Sequence, residues 1–310
     1  MTTYPFWIEH DENGNPINNL WVKIDNIPAS STKTIYIHPE GFNFPDGDSV
    51  FEFFDDFEGS SLDTSKWSFS GNNAQYSVSN SMVTLTGTTR SSSTEANIYS
   101  TQTFNYPIIV NAHYKTDYTG LGGSSEYQRV RFRLYHSSAD YLELTYDVQG
   151  TTYWGGNCYI SGANYGSEDY DDNYNIQNLW QNDYFVFTGT KGYIYDGITH
   201  QKHFQYSCSQ TPTNYDYQLT FCHWYSASSI YADWIAVRKY TANEPSVTIT
   251  DMGTYYKIDI TNNEATDLTN YQVAIPISSL DITSTTESIE FTESTAQEEK
   301  NKTIHFSHNF

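Results

Sequence analysis

The side chains in this chain best suited to chemistry are aromatic and acidic. The stretch "YDVQGTTYWGGNCYISGANYG" sets Tyr153, Trp154, Tyr159 and Tyr165 among glycine, asparagine and serine. Flat rings with a polar tip, beside amide hydrogen bonders, stack on sugar faces or contact other proteins, so these four are a candidate glycan-binding set. Weighing against them, half or more of the 52 aromatic residues must fill cores, and Gly155-Gly156 reads equally well as a bulge or turn. The loop "SEDYDDNYN" offers Glu168, Asp169, Asp171 and Asp172 as oxygen ligands for a hard cation. It lacks the glycine and spacing of an EF-hand and reads better as a solvated loop. Glu9 and Asp11 stand in "EHDENG", where Asn13-Gly14 is a hairpin-turn signal. Nine histidines leave a Ser/His/Asp arrangement open, but no G-x-S-x-G nucleophile elbow occurs, and His223-Trp224-Tyr225 reads as a packed strand.

Cys158, Cys208 and Cys222 match no metal-binding spacing. They are expected to be mostly buried small apolar residues, with a Cys208–Cys222 bridge across neighbouring strands left open.

The elements that would carry these residues are strands. Among 310 residues, 28 Tyr, 17 Phe and 7 Trp accompany abundant Thr, Ser and Asn, a composition suited to pleated, half-buried surfaces. Against 15 Lys+Arg stand 37 Asp+Glu, a formal charge of −22 that repels phosphate backbones and anionic lipid surfaces. No nucleic-acid partner is expected. No run approaches the ~18 apolar residues of a membrane span, and "MTTYPFWIEH" lacks the basic and apolar regions of a signal peptide. The chain is therefore expected to be a mature or excised piece, or to leave the cell by another route such as release with a virus particle.

No stretch sustains a 3.6-residue apolar period. In "RVRFRLYHSSADYLELTYDV", Val130, Phe132 and Leu134 alternate with Arg129, Arg131 and Arg133, and Leu142, Leu144 and Tyr146 with Tyr141, Glu143, Thr145 and Asp147. Folded at Ser137–Ala139, this hairpin sets Arg133 opposite Glu143, Arg129 opposite Asp147 and Phe132 opposite Leu144. The arginine row is expected to form cross-strand pairs on a solvated face, worth a few tenths of a kcal/mol each. About a dozen such strands predict a two-sheet sandwich or jelly roll. Pro245 marks a boundary before a new alternating set, "SVTITDMGTYYKIDITNN". The acidic tail ends in Phe306 and Phe310, and Asn301-Lys-Thr303 is a glycosylation sequon.

From about Val50 to Tyr240 the frame "FFDDFEGSSLDTSKW" … "ADWIAVRKY" resembles a concanavalin A-like jelly roll of the laminin G and laminarinase type. The segment "YPFWIEHDENGNPINNLWVKIDNIPASSTKTIYIHPEG" resembles the latter half of a small β domain of unknown function that precedes such jelly rolls in microbial cell-surface proteins. Its usual opening strands resemble "YYKIDITNNEATDLTNYQVAIPI" and "ESIEFTES", which here follow the jelly roll. The resemblance implies an all-β chain with a small-domain part at 1–45, a concanavalin A-like jelly-roll sandwich at 46–243, and a C-terminal segment at 244–310. That segment would complete a smaller β-sandwich domain with the N-terminal one. Completion pairs Tyr256, Ile258, Ile260, Tyr271, Val273 and Ile275 with strands holding Trp21, Val22, Ile35 and Ile37. It is expected within the chain first, and between neighbouring chains, head to tail, second.

Laminarinase-type enzymes carry Glu-x-Asp-x-(x)-Glu on a concave strand, and this jelly roll has no such string. The resemblance also implies a structural Ca²⁺ near Asp233 with Asp56 or Glu58. The expectation is a non-enzymatic structural or adhesive protein of the extracellular space, cell surface or virion. Its partners would be copies of itself or a cell-surface glycan or protein. A glycan-binding, lectin-like adhesin ranks second and a degraded or divergent glycoside hydrolase last.

Overall fold

A computed structural model of the chain describes residues 4–91, 93–117, 128–149, 151–165, 178–212, 216–280, 282 and 289–293. The loop at 168–172, the glycosylation sequon and the tail phenylalanines lie outside the described residues.

Residues up to 51 carry β1 (Phe6–His10), β2 (Pro16–Ile27), β3 (Thr32–Asn43) and one helical turn, α1 (Gly47–Val50). Next come β4 (Phe53–Asp55), β5 (Trp67–Asn72), β6 (Ala74–Val78), β7 (Val83–Gly87), β8 (Glu95–Phe104) and β9 (Ile108–Thr116). They are followed by β10 (Gln128–Ser137), β11 (Asp140–Gln149), β12 (Thr151–Ile160), β13 (Ala163–Asn164) and β14 (Gln181–Phe187). The sandwich strands end with β15 (Lys191–Asp196), β16 (Lys202–Ser207), β17 (Tyr217–Trp224) and β18 (Ser229–Lys239). The C-terminal part holds β19 (Ser246–Asp251), β20 (Tyr256–Thr261), β21 (Leu268–Pro276) and β22 (Ile289–Thr292). The chain is all-β, in two compact units: Met1–Phe51 with Thr241–Phe310, and Glu52–Tyr240.

The smaller unit has a three-stranded sheet, β1-β2-β21, and a four-stranded one, β19-β20-β3-β22. Both are stitched from the two ends of the chain. Across β2 and β21, Val22 pairs with Val273, Trp21 with Ala274, Ile24 with Tyr271 and Leu20 with Ile275. Across β3 and β20, Ile35 pairs with Ile258, Ile37 with Tyr256 and Lys33 with Ile260. The edges a head-to-tail assembly would use are paired here by strands of the same chain. Alternate residues of these strands meet in one core that includes Phe6, Ile8, Val22, Ile35, Ile258, Val273 and Phe291. Each such side chain removed from water contributes about 1.5–3 kcal/mol.

The acidic string near the start is structural. Glu9 is fully buried and accepts hydrogen bonds from Trp21 Nε1 at 2.7 Å and Asn19 Nδ2 at 3.5 Å. Asp11 caps the β1–β2 turn by accepting from the Asn13 and Asn15 backbone N–H groups, and Gly14 takes φ +78° there. That left-handed conformation favours glycine.

The larger unit is a jelly-roll sandwich. One sheet runs β13-β12-β11-β10-β17-β8-β5 and the other β16-β15-β14-β9-β18-β7-β6, with β4 on β18. Inward residues interdigitate; the Phe132 and Phe185 rings, from opposite sheets, stack with centroids 4.1 Å apart. The opening motif is anchored by Asp55, which accepts from Trp67 Nε1 at 2.6 Å and from the Phe57 N–H at 2.8 Å.

Two sequence expectations are corrected in this unit. The bridge is Cys158–Cys208, tying β12 of one sheet to the end of β16 in the other, and Cys222 is a buried free thiol. Gly155-Gly156 is neither bulge nor turn: both residues continue β12, and a Cβ on Gly156 would lie 2.5 Å from Tyr206.

Candidate functional site

Seven strands side by side present one outward face, and period-two alternation decides what stands on it. The predicted hairpin register holds: Arg129 opposes Asp147, Arg133 opposes Glu143 and Phe132 opposes Leu144. Pairing with β12, β17 and β8 extends these pairs into rows across the sheet. One row runs Asn157, Glu143, Arg133, Thr220, Tyr99, and the next Gly155, Thr145, Arg131, Cys222, Asn97. On one side lies the row Tyr159, Tyr141, Tyr135, Gln218; on the other lies Tyr153, Asp147, Arg129, Trp224, Glu95.

This face is not the solvated one expected from alternation. Glu143 and Asp147 are 1 % and 0 % exposed, and Arg131 and Arg133 are 7 % and 8 %. The Glu143 carboxylate receives Arg133 Nε, Asn157 Nδ2 at 3.0 Å, and Arg131 Nε as an ion pair at 3.6 Å. Burial would raise this carboxyl, but the two guanidiniums outweigh burial and hold it down to about 2. Arg133 also reaches Glu95 at 3.3 Å, so one guanidinium joins two carboxylates. Asp147 is ion-paired with Arg129. Burial pushes the Cys222 thiol up to about 12, which leaves it protonated and unreactive. Three buried polar atoms in these two central rows, Arg131 Nε, Asn97 Oδ1 and Thr220 Oγ1, have no hydrogen-bond partner.

Half-buried rings border the ion pairs. Tyr159 stacks on Tyr141 at 4.6 Å, Tyr141 on Tyr135 at 6.3 Å, and Tyr135 meets Tyr99 at 5.6 Å. On the far side Arg129 and Arg131 lie over the Trp224 ring at 4.9 and 4.7 Å. The result is an ordered polar floor between an aromatic strip and an aromatic flank. Neighbouring strands stand about 4.8 Å apart, so the strip spans several strand widths and suits an extended, hydroxyl-rich ligand.

The four expected glycan residues do not share this face. Tyr159 is on it. Trp154 is fully buried in the core against Tyr146 and His203, because it alternates with Tyr153 along β12. Tyr165 is half-buried and packs against the core. Tyr153 lies opposite Asp147 in register, and its side chain is outside the described residues.

The calcium candidates lie on adjoining segments, since β4 pairs with β18 through Asp55 opposite Ile235. Asp233 is buried in β18, Asp56 is half-buried, and exposed Glu58 accepts the Ser81 hydroxyl at 3.0 Å. Among the described residues no group of three or more His, Cys, Asp or Glu side chains could hold a metal ion. Among the described residues no helix is long and apolar enough to cross a membrane.

A family model described as a domain of unknown function, DUF2341, matches residues 1–70. No curated protein matches the chain. Among similar solved structures is a glycosyl hydrolase family protein from Mycobacterium fortuitum, 14 % identical over 60 % of this chain and 99 % of that one, at a TM-score of 0.46. A second is an immunostimulatory antigen and pseudo beta-1,3-glucanase of Mycobacterium tuberculosis, 12 % identical over 61 % and 98 %, at 0.47. A third is a Bacillus licheniformis beta-glucanase, 13 % identical over 61 % and 98 %, at 0.45. The expectation of a structural or adhesive protein, with a glycoside hydrolase ranked last, is corrected on this finding. At these identities and TM-scores the likeness is one of fold, and the chemistry is argued from the residues.

The central residues Glu143, Arg131 and Arg133 were legible only as cross-strand pairs. A signal for more was present: Glu143, Thr145 and Asp147 alternate along one strand, placing two acids on one face.

Proposed function

We propose that the jelly roll is a degraded glycoside hydrolase, which holds a polysaccharide across its seven-stranded sheet without cleaving it. The observation that carries this reading is the capture of Glu143 by Arg131, Arg133 and Asn157. Glycoside hydrolysis needs one carboxyl protonated near working pH and a second carboxylate at a defined separation, about 5–5.5 Å or 6.5–9.5 Å. Glu143 at about 2 cannot donate a proton at neutral pH. Asp147, the other acid of this strand on the same face, is tied to its own arginine, Arg129. Cleavage is thereby lost, while the tyrosine strip and Trp224 remain placed to hold sugar rings.

Two further parts belong to this reading. The smaller unit is a reordered form of the domain matched at 1–70, its opening strands supplied by β20 and β21; the β2–β21 and β3–β20 pairing supports this. The protein works outside the cytoplasm, a location supported by the Cys158–Cys208 bridge, since disulfides persist in oxidising compartments.

The test is to incubate the purified chain with a panel of polysaccharides that includes beta-1,3-glucan, measuring retention in affinity gels and release of reducing ends. Retention that Tyr141→Ala weakens, with no release, is expected. Sustained release abolished by Glu143→Gln would show a working hydrolase. Absence of retention by the whole panel would sink the reading.

A further inference from the structure

A second polar cluster lies at one end of the sandwich interior, unused by the sugar-facing sheet. β14 and β15 pair so that Asp183 stands directly opposite Asp196. Directly opposed residues in an antiparallel pair have Cβ atoms about 4.5–5.5 Å apart, so two carboxyls share one small space. Asp183 is 1 % exposed; its Oδ2 accepts the Tyr114 hydroxyl at 2.8 Å and its Oδ1 has no hydrogen-bond partner. Asp196 is half-buried and accepts the Ile198 and Thr199 N–H groups at 2.8 and 2.6 Å, with His203 Nε2 at 3.7 Å. The titratable groups around Asp183 are thus Tyr114 from β9, Asp196 from β15 and His203 from β16. Behind His203, Trp154 of the other sheet stacks on its ring at 5.7 Å, with Tyr146 beside Trp154. Burial raises Asp183 to about 7, against the Tyr114 hydrogen bond and with the help of the Asp196 charge.

The placement of this pair gives it leverage. β15 and β16 form a hairpin at the edge of their sheet, where among the described strands β14 is the neighbour that joins it to the rest. At one end the hairpin is fixed to the other sheet: Cys208 is bonded to Cys158, and the Tyr206 ring lies so close to Gly156 of β12 that a Cβ there would sit 2.5 Å away. At the other end stand Asp196 and its like-charged partner. We infer that the β15–β16 hairpin is a pH-sensitive flap, tight while Asp183 carries a proton and loosened when Asp183 and Asp196 are both ionised. In the loosened flap Asp183 meets water and behaves as an ordinary carboxyl. A group raised in the closed form favours closure fully below about pH 4, and that contribution is lost as pH rises to about 7 and is constant above it. Opening also lifts His203 off Trp154.

Hydrogen exchange of the Tyr193–Asp196 amides, corrected for intrinsic rates, tests this alongside tryptophan fluorescence. Protection is expected to fall on the order of tenfold per pH unit between about pH 5 and 7 and then level off. Asp183→Asn should hold the flap near its low-pH protection throughout. Tyr114→Phe, which removes the hydrogen bond that favours the ionised form, should move the levelling point to higher pH. Equal protection at pH 5 and 7 in the unmodified chain overturns the inference. So does an Asp183→Asn chain with unchanged pH dependence, or a Tyr114→Phe chain whose levelling point stays put or falls.

Discussion

Glu143 and Asp183 are carboxylates of the same sandwich, each 1 % exposed, and burial pushes both upward. Yet Glu143 ends at about 2 and Asp183 at about 7. The difference is the company each keeps. Glu143, on the outward face, sits among Arg131, Arg133 and Asn157; Asp183, on the inward face, has one tyrosine hydroxyl and an opposing carboxyl. Burial sets the size of the penalty on charge, and the nearest charged partner decides whether that penalty is met. The comparison also bears on turnover. A general acid works best with a pKa near the working pH, and the jelly roll has such a carboxyl in its interior rather than on the outward face of the seven-stranded sheet.

The largest expected effect comes from unbalancing the outer cluster. Glu143→Gln takes the shared carboxylate from buried Arg131 and leaves Arg133 with Glu95 alone, and should lower unfolding stability by about 3–5 kcal/mol in urea titrations at pH 7. A loss below 1 kcal/mol would mean that water, not Glu143, satisfies the arginines. The inner carboxyl should respond with the opposite sign. Asp183→Asn removes a charge that the folded chain resists at pH 8, and should stabilise it there by a few kcal/mol, on the order of 1.4 kcal/mol per unit of upward shift. At pH 4, where Asp183 is protonated in the folded chain, the two proteins should melt within a degree or two of each other. A gain of equal size at both pH values would show that ionisation is not its cause.

A pH profile of the unmodified chain sharpens the contrast further. The depressed Glu143 contributes stability that is present above about pH 4.5 and lost as pH falls towards 2. The raised Asp183 contributes stability that is present below about pH 4 and lost as pH rises to 7. Together they place the stability maximum of the larger unit near pH 4–5, measurable by thermal melts in a buffer series. A maximum at pH 7 or above would mean that the inner pair carries too little energy to matter.

The register of β10 and β11 was readable because alternation is a property of the two strands alone. Whether their polar face meets water was not, since β12, β17 and β8 supply its neighbours from as far as residue 224. The arginine row was therefore expected on a solvated surface and is buried. Cys158–Cys208 was missed for a related reason: the bridge joins strands from opposite sheets, a proximity set by the sandwich and not by chain separation. The inward position of Trp154 was legible. In "TTYWGGNCYI" the alternate set Trp154, Cys158 and Ile160 reads as an inward stripe, and only Tyr153, Asn157 and Tyr159 remain for the outer face.

That alternation supports the smallest predicted effect and the most local one. Tyr159 and Trp154 are five residues apart on β12, but one is a half-buried ring on the outer face and the other is sealed in the core. Tyr159→Ala removes the end ring of the strip and should cost below about 1 kcal/mol of stability, as aromatic pairs contribute about 0.5–1.5 kcal/mol and one face of this ring is already wet. It should nonetheless weaken polysaccharide retention several-fold. Trp154→Phe keeps an inward ring and should leave retention unchanged while lowering the melting temperature. If the two substitutions exchange these effects, the outer strip is not where the polymer lies.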